Sequence, residues 1–277
     1  MTAQKHPGLG KIPRASVFLN AAMRVLYRRG LATALFGFGL VFMAYITMAG
    51  VRYTDLRHIE PIHGSPAAAE KKASVCFACH GANGVPVAPT FPRLAGQRAD
   101  YLYHRLVAFK HAGKKDPYYS ASPMTPIAAT LTEGDMRNLA AYFSAQPPAA
   151  VNAVSIGPTE TTGESVFLHG NPSQGIPPCQ GCHGADANGA AMAGTQYLAF
   201  PSLRGQSALY LTARLKNFRQ GLPADTSNAF IMASVARTLD DASIQAIATW
   251  LSSLNPARCS PFPDHPSQSS GVEPCKT

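Results

Sequence analysis

Hydrophobic and polar positions divide the chain into one long uncharged stretch and a following series of amphipathic segments. Residues 31–51 hold no charged side chain, and about 20 apolar residues are enough for a helix to span a bilayer. Farther along, residues 98–112 and 207–220 repeat their apolar positions at helical spacing, and each is followed by a glycine suited to a helix end. Because no run alternates convincingly in the manner of a strand, the pattern predicts an all-α protein.

Capping residues indicate where several of these helices begin. Ser65, which is followed by a proline, predicts the start of a helix that runs into the first cysteine motif, and the counterpart of this helix should start near Thr162. Thr132 and Asp135 have the spacing of a capping box, with Asp in place of Glu, and Asp240 can cap the matching later helix. The two halves of the chain are therefore expected to contain similar helices joined by long loops.

The chain contains an internal repeat, in which segments of the first half recur in the same order 103 to 109 positions later. The matched pairs are CFACHGANG (76–84) with CQGCHGADANG (179–189), FPRLAGQ (91–97) with FPSLRGQ (200–206), and Met124, Leu131 and Tyr142 with Met232, Leu239 and Trp250. Ordered matches at a nearly constant offset indicate the tandem duplication of one small domain. We expect the two domains at 65–146 and 159–255, joined by a linker at 147–158 that is rich in Pro and Ala.

The N-terminal part of the chain is predicted to anchor the protein in a membrane. Residues 1–30 contain six basic and no acidic residues, which places this segment in the cytoplasm and makes residues 31–51 a single transmembrane helix. A cleaved signal peptide is the alternative, although its apolar region usually covers only about 7–15 residues. Residues 52–64 then form a tether, and the two domains are expected in the periplasm, outside the bacterial inner membrane.

The net charge of +9 does not indicate nucleic-acid binding once its distribution is considered. The basic excess is concentrated in residues 1–30, so residues 31–277 carry only +3. A nucleic-acid site would need a basic stripe on a folded domain, and the sequence contains none. Nucleic acid is therefore not an expected partner.

Two Cys-x-x-Cys-His motifs carry the main chemical signal. Cysteines three positions apart lie on one side of a helix, where both sulfurs can reach one edge of a porphyrin and the adjacent histidine can reach its iron. A zinc site would need a fourth close ligand, and the histidine argues against a redox dithiol. The motifs therefore predict two covalently bound haem c groups, held by Cys76, Cys79 and His80 and by Cys179, Cys182 and His183.

The second axial ligand of each iron should recur in both repeats. Met124 and Met232 do so, each followed seven residues later by a leucine, and thioether ligation opposite a histidine raises the potential of a haem. Met136 aligns with an isoleucine and is expected in the core. His104 and His111 are the alternatives in the first repeat, but they align with Ala and Gln in the second. We therefore expect His/Met ligation at both irons.

The repeated FPxL segment supplies further candidates. The carbonyl group of Pro92 or Pro201 can accept a hydrogen bond from Nδ1 of the haem histidine and fix the orientation of the ring, although a plain loop turn is the alternative. Gln97 and Gln206 could donate to haem propionates or form hydrogen bonds within the loops. These prolines and glutamines are therefore candidates for supporting the haem ligands.

With these motifs in this order, residues 66–255 resemble the cytochrome c4 family, whose members are dihaem proteins built from two fused class I cytochrome c domains. The resemblance implies His80 with Met124 and His183 with Met232 as axial pairs. It also implies a two-fold-related packing that brings the haem edges close enough for electron exchange. The function that it implies is the transfer of electrons from the cytochrome bc1 side to a terminal oxidase in the periplasm, without catalytic residues.

Two features differ from the usual soluble members of this family, namely the anchor and the tail. The tail, residues 256–277, holds Cys259 and Cys275, which could pair as a disulfide in an oxidising compartment. The anchor would confine the protein to the membrane surface, as a shuttle or as a fixed subunit of a respiratory assembly. A dihaem enzyme, such as a peroxidase or a thiosulfate-oxidising cytochrome, is the alternative function and would need an iron with an open position.

Overall fold

A computed structural model describes residues 53–111, 116–149, 157–189, 197–223 and 225–256 of the chain. The predicted cytoplasmic segment (1–30), the predicted transmembrane helix (31–51) and the predicted disulfide between Cys259 and Cys275 lie outside these residues. Within the part that is described, no helix is both long and apolar enough to cross a membrane.

The described residues form two helical domains in tandem and contain no β-strand, only two isolated bridges. The first domain contains α1 (Pro66–His80), α2 (Ala99–His111), α3 (Pro117–Ser120), α4 (Met124–Ala129) and α5 (Glu133–Ser144). The second domain contains α6 (Pro158–His169), a 3₁₀ turn (Pro172–Gln174), α7 (Gln180–His183), α8 (Ala208–Arg219), α9 (Ser227–Ala236) and α10 (Asp241–Ser253). The prediction of an all-α protein is confirmed for this part of the chain.

The predicted capping residues begin their helices. Ser65 and Asp240 each accept a hydrogen bond from the backbone N–H three residues farther on, at the starts of α1 and α10. Thr132 and Asp135 form the expected capping box at α5, in which each side chain accepts from the backbone N–H of the other residue. These helix starts therefore follow from local sequence alone.

The core of the first domain lies between α1, α2 and α5. Ala69 and Ala73 face inward from α1, and their small side chains let α5 approach closely. Leu139 and Phe143 of α5 fill the adjoining space together with Met136. Met136 is only 2% exposed, so its predicted role in the core is confirmed.

The core of the second domain lies between α6, α8 and α10. Phe167 of α6 packs against Trp250 of α10, with the ring centres 4.9 Å apart. A Cβ atom on Gly163 would lie 2.1 Å from the carbonyl oxygen of Ala246, so only glycine lets α6 and α10 come this close. This contact fixes the first and last helices of the domain against each other.

The two domains differ in how they present the cysteine motif. In the first domain α1 continues without a break through the motif, whereas in the second α6 ends at His169 and the motif lies on the separate one-turn helix α7. Three prolines between residues 170 and 179 explain the break, because proline lacks the N–H and clashes with the preceding turn. Helix α6 also begins at Pro158, earlier than the predicted start near Thr162. The expectation of similar first helices was wrong in this region.

The beginning of the predicted tether lies against the second domain. The backbone N–H of Thr54 donates to the carbonyl oxygen of Asp225 at 2.8 Å, and its own carbonyl accepts from the N–H of Ser227 at 2.9 Å. The next apolar side chain, Leu56, is buried. The chain therefore crosses the start of α9 before it enters the first domain.

Candidate functional site

The first cysteine motif lies at the C-terminal end of α1. Cys76, Cys79 and His80 occupy its last turns, where residues three and four positions apart share one face. Both cysteines are half-buried, and His80 is only 6% exposed. Gly81, with a φ of +76°, ends the helix in a backbone region that favours glycine. The imidazole therefore points into the domain while the thiols line its surface.

The second motif reaches an equivalent arrangement on a shorter helix. Cys179 precedes α7, which contains Cys182 and ends at the buried His183. The N–H of Cys179 donates to the carbonyl oxygen of Phe167 at 2.9 Å, which ties the motif to α6. Burial, with a contribution from Cys182, raises the pKa of the Cys179 thiol to about 11. The broken helix thus still places two cysteines and one inward histidine together.

The proline carbonyls of the FPxL segments lie beside the two histidines. Nδ1 of His80 is 3.0 Å from the carbonyl oxygen of Pro92, and Nδ1 of His183 is 3.3 Å from that of Pro201. Burial lowers the pKa of both imidazoles and so favours their neutral form. A neutral imidazole that donates from Nδ1 keeps its lone pair on Nε2, which is the form that binds a metal.

The same loop geometry brings each proline to its histidine. Backbone N–H groups of residues 94–95 donate to the carbonyl oxygen of Gly84, and those of 203–204 donate to that of Ala187. Gly84 and Ala187 both have positive φ, at +74° and +61°. Residues 84 and 187 are 103 positions apart, which is the offset that aligns the two cysteine motifs, so the two loops are equivalent.

Met124 and Met232 lie on corresponding helices. Met124 is the first residue of α4, which packs against α2, and Met232 lies within α9, which packs against α8. Helices α2 and α8 directly follow the two FPxL loops. Both methionine side chains are half-buried. The structure thus places the two predicted thioether ligands in equivalent parts of the two domains.

The two alternative ligands of the first repeat lie on α2 and differ in exposure. His104 is largely buried, with its ring centre 5.0 Å from that of Tyr103, and its Nε2 has no hydrogen-bond partner among the described residues. Burial, and to a smaller extent the charge of Arg137, lowers the pKa of His104 to about 4. His111 is exposed at the end of the helix. Neither residue has a histidine counterpart on α8.

Gln97 and Gln206 form hydrogen bonds across the boundary between the domains. Gln97 donates to the carbonyl oxygen of Ser202 at 2.9 Å and accepts from its N–H at 2.8 Å. Gln206 makes the same pair of bonds with Arg93, at 3.0 and 2.9 Å. The sequence predicted bonds to haem or within a loop, but it gave no sign that these bonds would cross between domains.

Two arginines, the buried Arg214 and the half-buried Arg105, lie on corresponding helices and were not singled out by the sequence. Arg105 of α2 and Arg214 of α8 share one place in the YLYHRL and YLTARL repeats. The guanidinium group of Arg214 lies 4.6 Å from the ring centre of Tyr118 in the first domain, and that of Arg105 lies 3.9 Å from the carboxylate of Asp225 in the second. Each guanidinium group has one buried nitrogen without a hydrogen-bond partner among the described residues. The recurrence of an arginine at the same place in both amphipathic helices could have identified these two residues as candidates.

These features fit two haem c groups. Each domain offers a pair of thiols, a neutral imidazole with its lone pair on Nε2, and a half-buried methionine on a corresponding helix. The two unpartnered guanidinium nitrogens match the carboxylates that a haem carries, because a buried arginine is best satisfied by such an anion. The chemistry of the residues present is therefore complete for this cofactor.

Comparison with known proteins supports the same assignment. The family model described as Cytochrome c matches residues 68–146 and 177–255, which include both cysteine motifs. Cytochrome c4 of Thiocapsa roseopersicina is 37% identical over 198 residues, covering 70% of this chain and 95% of that protein. The thiosulfate dehydrogenase electron acceptor of Stutzerimonas stutzeri is 35% identical over 190 residues, covering 67% of this chain and 82% of that protein.

A solved structure is similar over the same part of the chain. The crystal structure of reduced recombinant cytochrome c4 from Pseudomonas stutzeri has a TM-score of 0.59 at 34% sequence identity. The match covers 69% of this chain and 100% of that one. The likeness therefore extends over both helical domains together.

Proposed function

This chain belongs to the cytochrome c4 family and binds two haem c groups covalently, and we propose that it carries single electrons at the periplasmic face of a bacterial inner membrane. When bound, each haem supplies a one-electron couple between ferric and ferrous iron. The residues of the chain attach the haems, ligate them and exclude water from them. Its function on this view is electron transfer without a catalytic residue.

The proposed ligands are the same in both domains. Cys76 and Cys79 attach one haem and Cys179 and Cys182 the other, with His80 and Met124 and with His183 and Met232 as the axial pairs. The observation that carries this proposal is the contact of each histidine Nδ1 with a proline carbonyl oxygen, at 3.0 and 3.3 Å. This contact fixes the tautomer and the orientation of the ring, so that Nε2 is the ligand atom.

The proposed route runs from the cytochrome bc1 complex to a terminal oxidase. Residues 31–51 anchor the chain, the basic residues before them stay in the cytoplasm, and the two haem domains lie in the periplasm. An anchored carrier has a high effective concentration near membrane complexes, either as a shuttle or as a fixed subunit. The family and the basic and apolar pattern of the N-terminus support this assignment.

A thiosulfate dehydrogenase is a second candidate for the electron donor. The support is specific, because a relative that is 35% identical is named as the electron acceptor of that enzyme. The chain would still be a carrier in this case. A dihaem enzyme would instead need an iron with an open position, and a methionine on the corresponding helix of each domain argues against one.

An optical spectrum of the oxidised holoprotein tests the ligation. Two His/Met irons should give the weak long-wavelength iron–sulfur band at full intensity for two haems, and added cyanide should leave this band unchanged. High-spin iron, or a band of half this intensity, would contradict the carrier assignment, because one iron would then be open to a substrate.

Two further measurements test the location and the donor. The N-terminal sequence of the protein extracted from membranes should begin before residue 31, whereas a start near residue 50 would show that the anchor is cleaved.

The electron donor can be tested by stopped-flow kinetics. Reduction of the protein by reduced cytochrome bc1 complex should be faster than its reduction by thiosulfate dehydrogenase with thiosulfate. The reverse order would make the second donor the correct one.

A further inference from the structure

We infer that Gln97 and Gln206 are positioning residues, each of which acts on the haem histidine of the opposite domain through one peptide group. The inference rests on the histidine ligation proposed above. It concerns the two residues that follow the FPxL segments at the same place in both repeats. Their side chains leave their own domains and bind the backbone of the other.

The first connection runs from Gln97 to His183. The N–H of Ser202 donates to Oε1 of Gln97 at 2.8 Å. This N–H belongs to the peptide group whose carbonyl is that of Pro201, and this carbonyl oxygen lies 3.3 Å from Nδ1 of His183. One planar peptide group therefore joins a side chain of the first domain to the histidine of the second.

The second connection runs in the opposite direction, from Gln206 to His80. The N–H of Arg93 donates to Oε1 of Gln206 at 2.9 Å, and the carbonyl of the same peptide group, that of Pro92, lies 3.0 Å from Nδ1 of His80. The two connections are thus equivalent and crossed. A crossed pair is what two repeats related by an approximate two-fold axis produce.

Both glutamine side chains are held firmly in these contacts. Gln97 and Gln206 are each only 6% exposed. Each Oε1 also accepts from the backbone N–H of the next residue in its own chain segment, at 2.9 Å from Arg98 and 3.0 Å from Ser207. Each Nε2 donates across the boundary to a carbonyl oxygen. The amide is therefore fixed at both ends, and its oxygen faces the peptide N–H.

The polarity of these bonds gives each glutamine an effect on the opposite iron. When a peptide N–H donates to a buried acceptor, its carbonyl becomes a stronger acceptor, because successive hydrogen bonds polarise one another. A stronger bond from the carbonyl to Nδ1–H makes the imidazole a better electron donor at Nε2, which stabilises the oxidised iron and lowers its reduction potential. Each glutamine therefore lowers the reduction potential of the haem in the other domain.

The crossing also makes each haem sensitive to the docking of the domains. A purely structural role of the glutamines would hold the domains together without acting on one haem more than the other. A shift in the potential of only the haem in the opposite domain therefore distinguishes a positioning role of the glutamine from a purely structural one.

The experiment is a redox titration of the holoprotein followed through the NMR signals of each haem. Gln97→Leu should raise the midpoint potential of the haem bound at His183 and leave that of the haem bound at His80 unchanged. Gln206→Leu should do the reverse. Equal shifts at both haems, a shift in the variant's own domain, or no shift would overturn the inference.

Ser207→Ala is the matched control. The Ser207 hydroxyl donates to the carbonyl oxygen of Pro89 across the same boundary, but it does not contact either of the two peptide groups. We expect this variant to lower stability without a selective shift of either potential. If it moved one haem as Gln97→Leu or Gln206→Leu does, domain docking would explain the effect and the inference would be wrong.

The same spectra separate this inference from the proposed ligation. If the wild-type signals lacked the features of His/Met iron, the ligation would be wrong and the inference would be lost with it. If both irons keep these features in every variant and no crossed shift appears, only the inference fails. Thermal unfolding of each variant establishes that it is folded before its potentials are compared.

Discussion

The hydroxyl group of Tyr119 in the first domain donates a hydrogen bond to the carboxylate of Asp225 in the second, although 106 positions separate them in the chain. Burial raises the pKa of Tyr119, so the phenol stays protonated as a donor. The same carboxylate lies 3.9 Å from the guanidinium group of Arg105, and the carbonyl oxygen of Asp225 accepts from the N–H of Thr54. A single residue therefore contacts both domains and the segment that precedes them.

Removal of the Tyr119 hydroxyl should weaken the contact between the domains. We expect Tyr119→Phe to lower the free energy of unfolding by about 1–2 kcal/mol, because the half-buried carboxylate of Asp225 loses one of its donors. Urea unfolding of the holoprotein measures this change. Tyr142→Phe is the control, because the Tyr142 hydroxyl has no hydrogen bond among the described residues. Equal losses in the two variants would contradict the role of the hydroxyl.

The parts of the fold that follow local rules could be predicted from the sequence. Ser65 and Thr132 cap their helices because their side chains satisfy backbone N–H groups within the same few residues. The burial of Met136 could be predicted because the second repeat has another apolar residue at the corresponding position. The contact of His80 with Pro92 could be anticipated because the cysteine motif and the FPxL segment recur together in the second domain.

Relations between the domains could not be predicted in this way. A repeat shows that two domains have similar folds, but it does not show how they pack against each other. The hydrogen bonds from Gln97 to Ser202 and from Tyr119 to Asp225 therefore could not be predicted from the sequence. The separate helix α7 was not predicted, because the helix expected to start near Thr162 was assumed to continue through three prolines to the cysteine motif. The positive φ of Ala187 was not predicted because an alanine in this backbone region is uncommon.

Gly84, in the loop that follows the first cysteine motif, should not tolerate a side chain. Its φ is +74°, and a Cβ atom would lie 2.7 Å from the backbone nitrogen of Ala95 and 3.0 Å from the ring of Phe143. We expect Gly84→Ala to cost about 2–3 kcal/mol of stability, from the unfavourable backbone conformation and the displaced loop. Denaturant unfolding of the holoprotein provides the measurement.

Gly134→Ala is the matched control for this prediction. Gly134 lies on the exposed side of α5, and the nearest atom to its added Cβ would be 3.9 Å away. We expect this change to stabilise the protein by about 0.5–1 kcal/mol, because alanine favours the helix and restricts the unfolded chain. If both variants moved stability in the same direction, the special requirement at Gly84 would be refuted.

His104 should make the protein less stable in mild acid. Its pKa in the fold is about 4, below the usual value of about 6.5 in an unfolded chain. Between these values the unfolded state binds a proton that the folded state does not, so stability falls as the pH falls from about 6.5 to 4, by at most about 3 kcal/mol. Below that range the contribution no longer changes with pH.

The variant His104→Gln should reduce this dependence on pH. Unfolding at a series of pH values measures the slope, which should be smaller in the variant between about pH 6.5 and 4. His111→Gln is the control, because His111 is exposed at the end of the same helix. A slope unchanged by His104→Gln would show that other groups account for the loss in acid.

Leu56 should contribute to the second domain although it precedes the first. It is 4% exposed, and its N–H donates to the Ser227 hydroxyl at the start of α9. We expect Leu56→Ala to cost about 2–4 kcal/mol of stability and to expose the neighbouring segment to proteases. Val75→Ala, at a residue that is 63% exposed, should have little effect in the same unfolding and proteolysis experiments.

Met124 and Met232 should each supply the thioether of one haem. We expect Met124→Ala or Met232→Ala to remove about half of the long-wavelength iron–sulfur band and to let cyanide bind one iron, because one axial position becomes open. The reduction potential of that haem should fall, since a thioether favours ferrous iron. Met136→Leu, a nearly volume-conserving change in the core of the first domain, should leave the band and both potentials unchanged. A full band in either alanine variant would assign the sixth ligand of that iron to another residue, and in the first domain His104 would be the next to test.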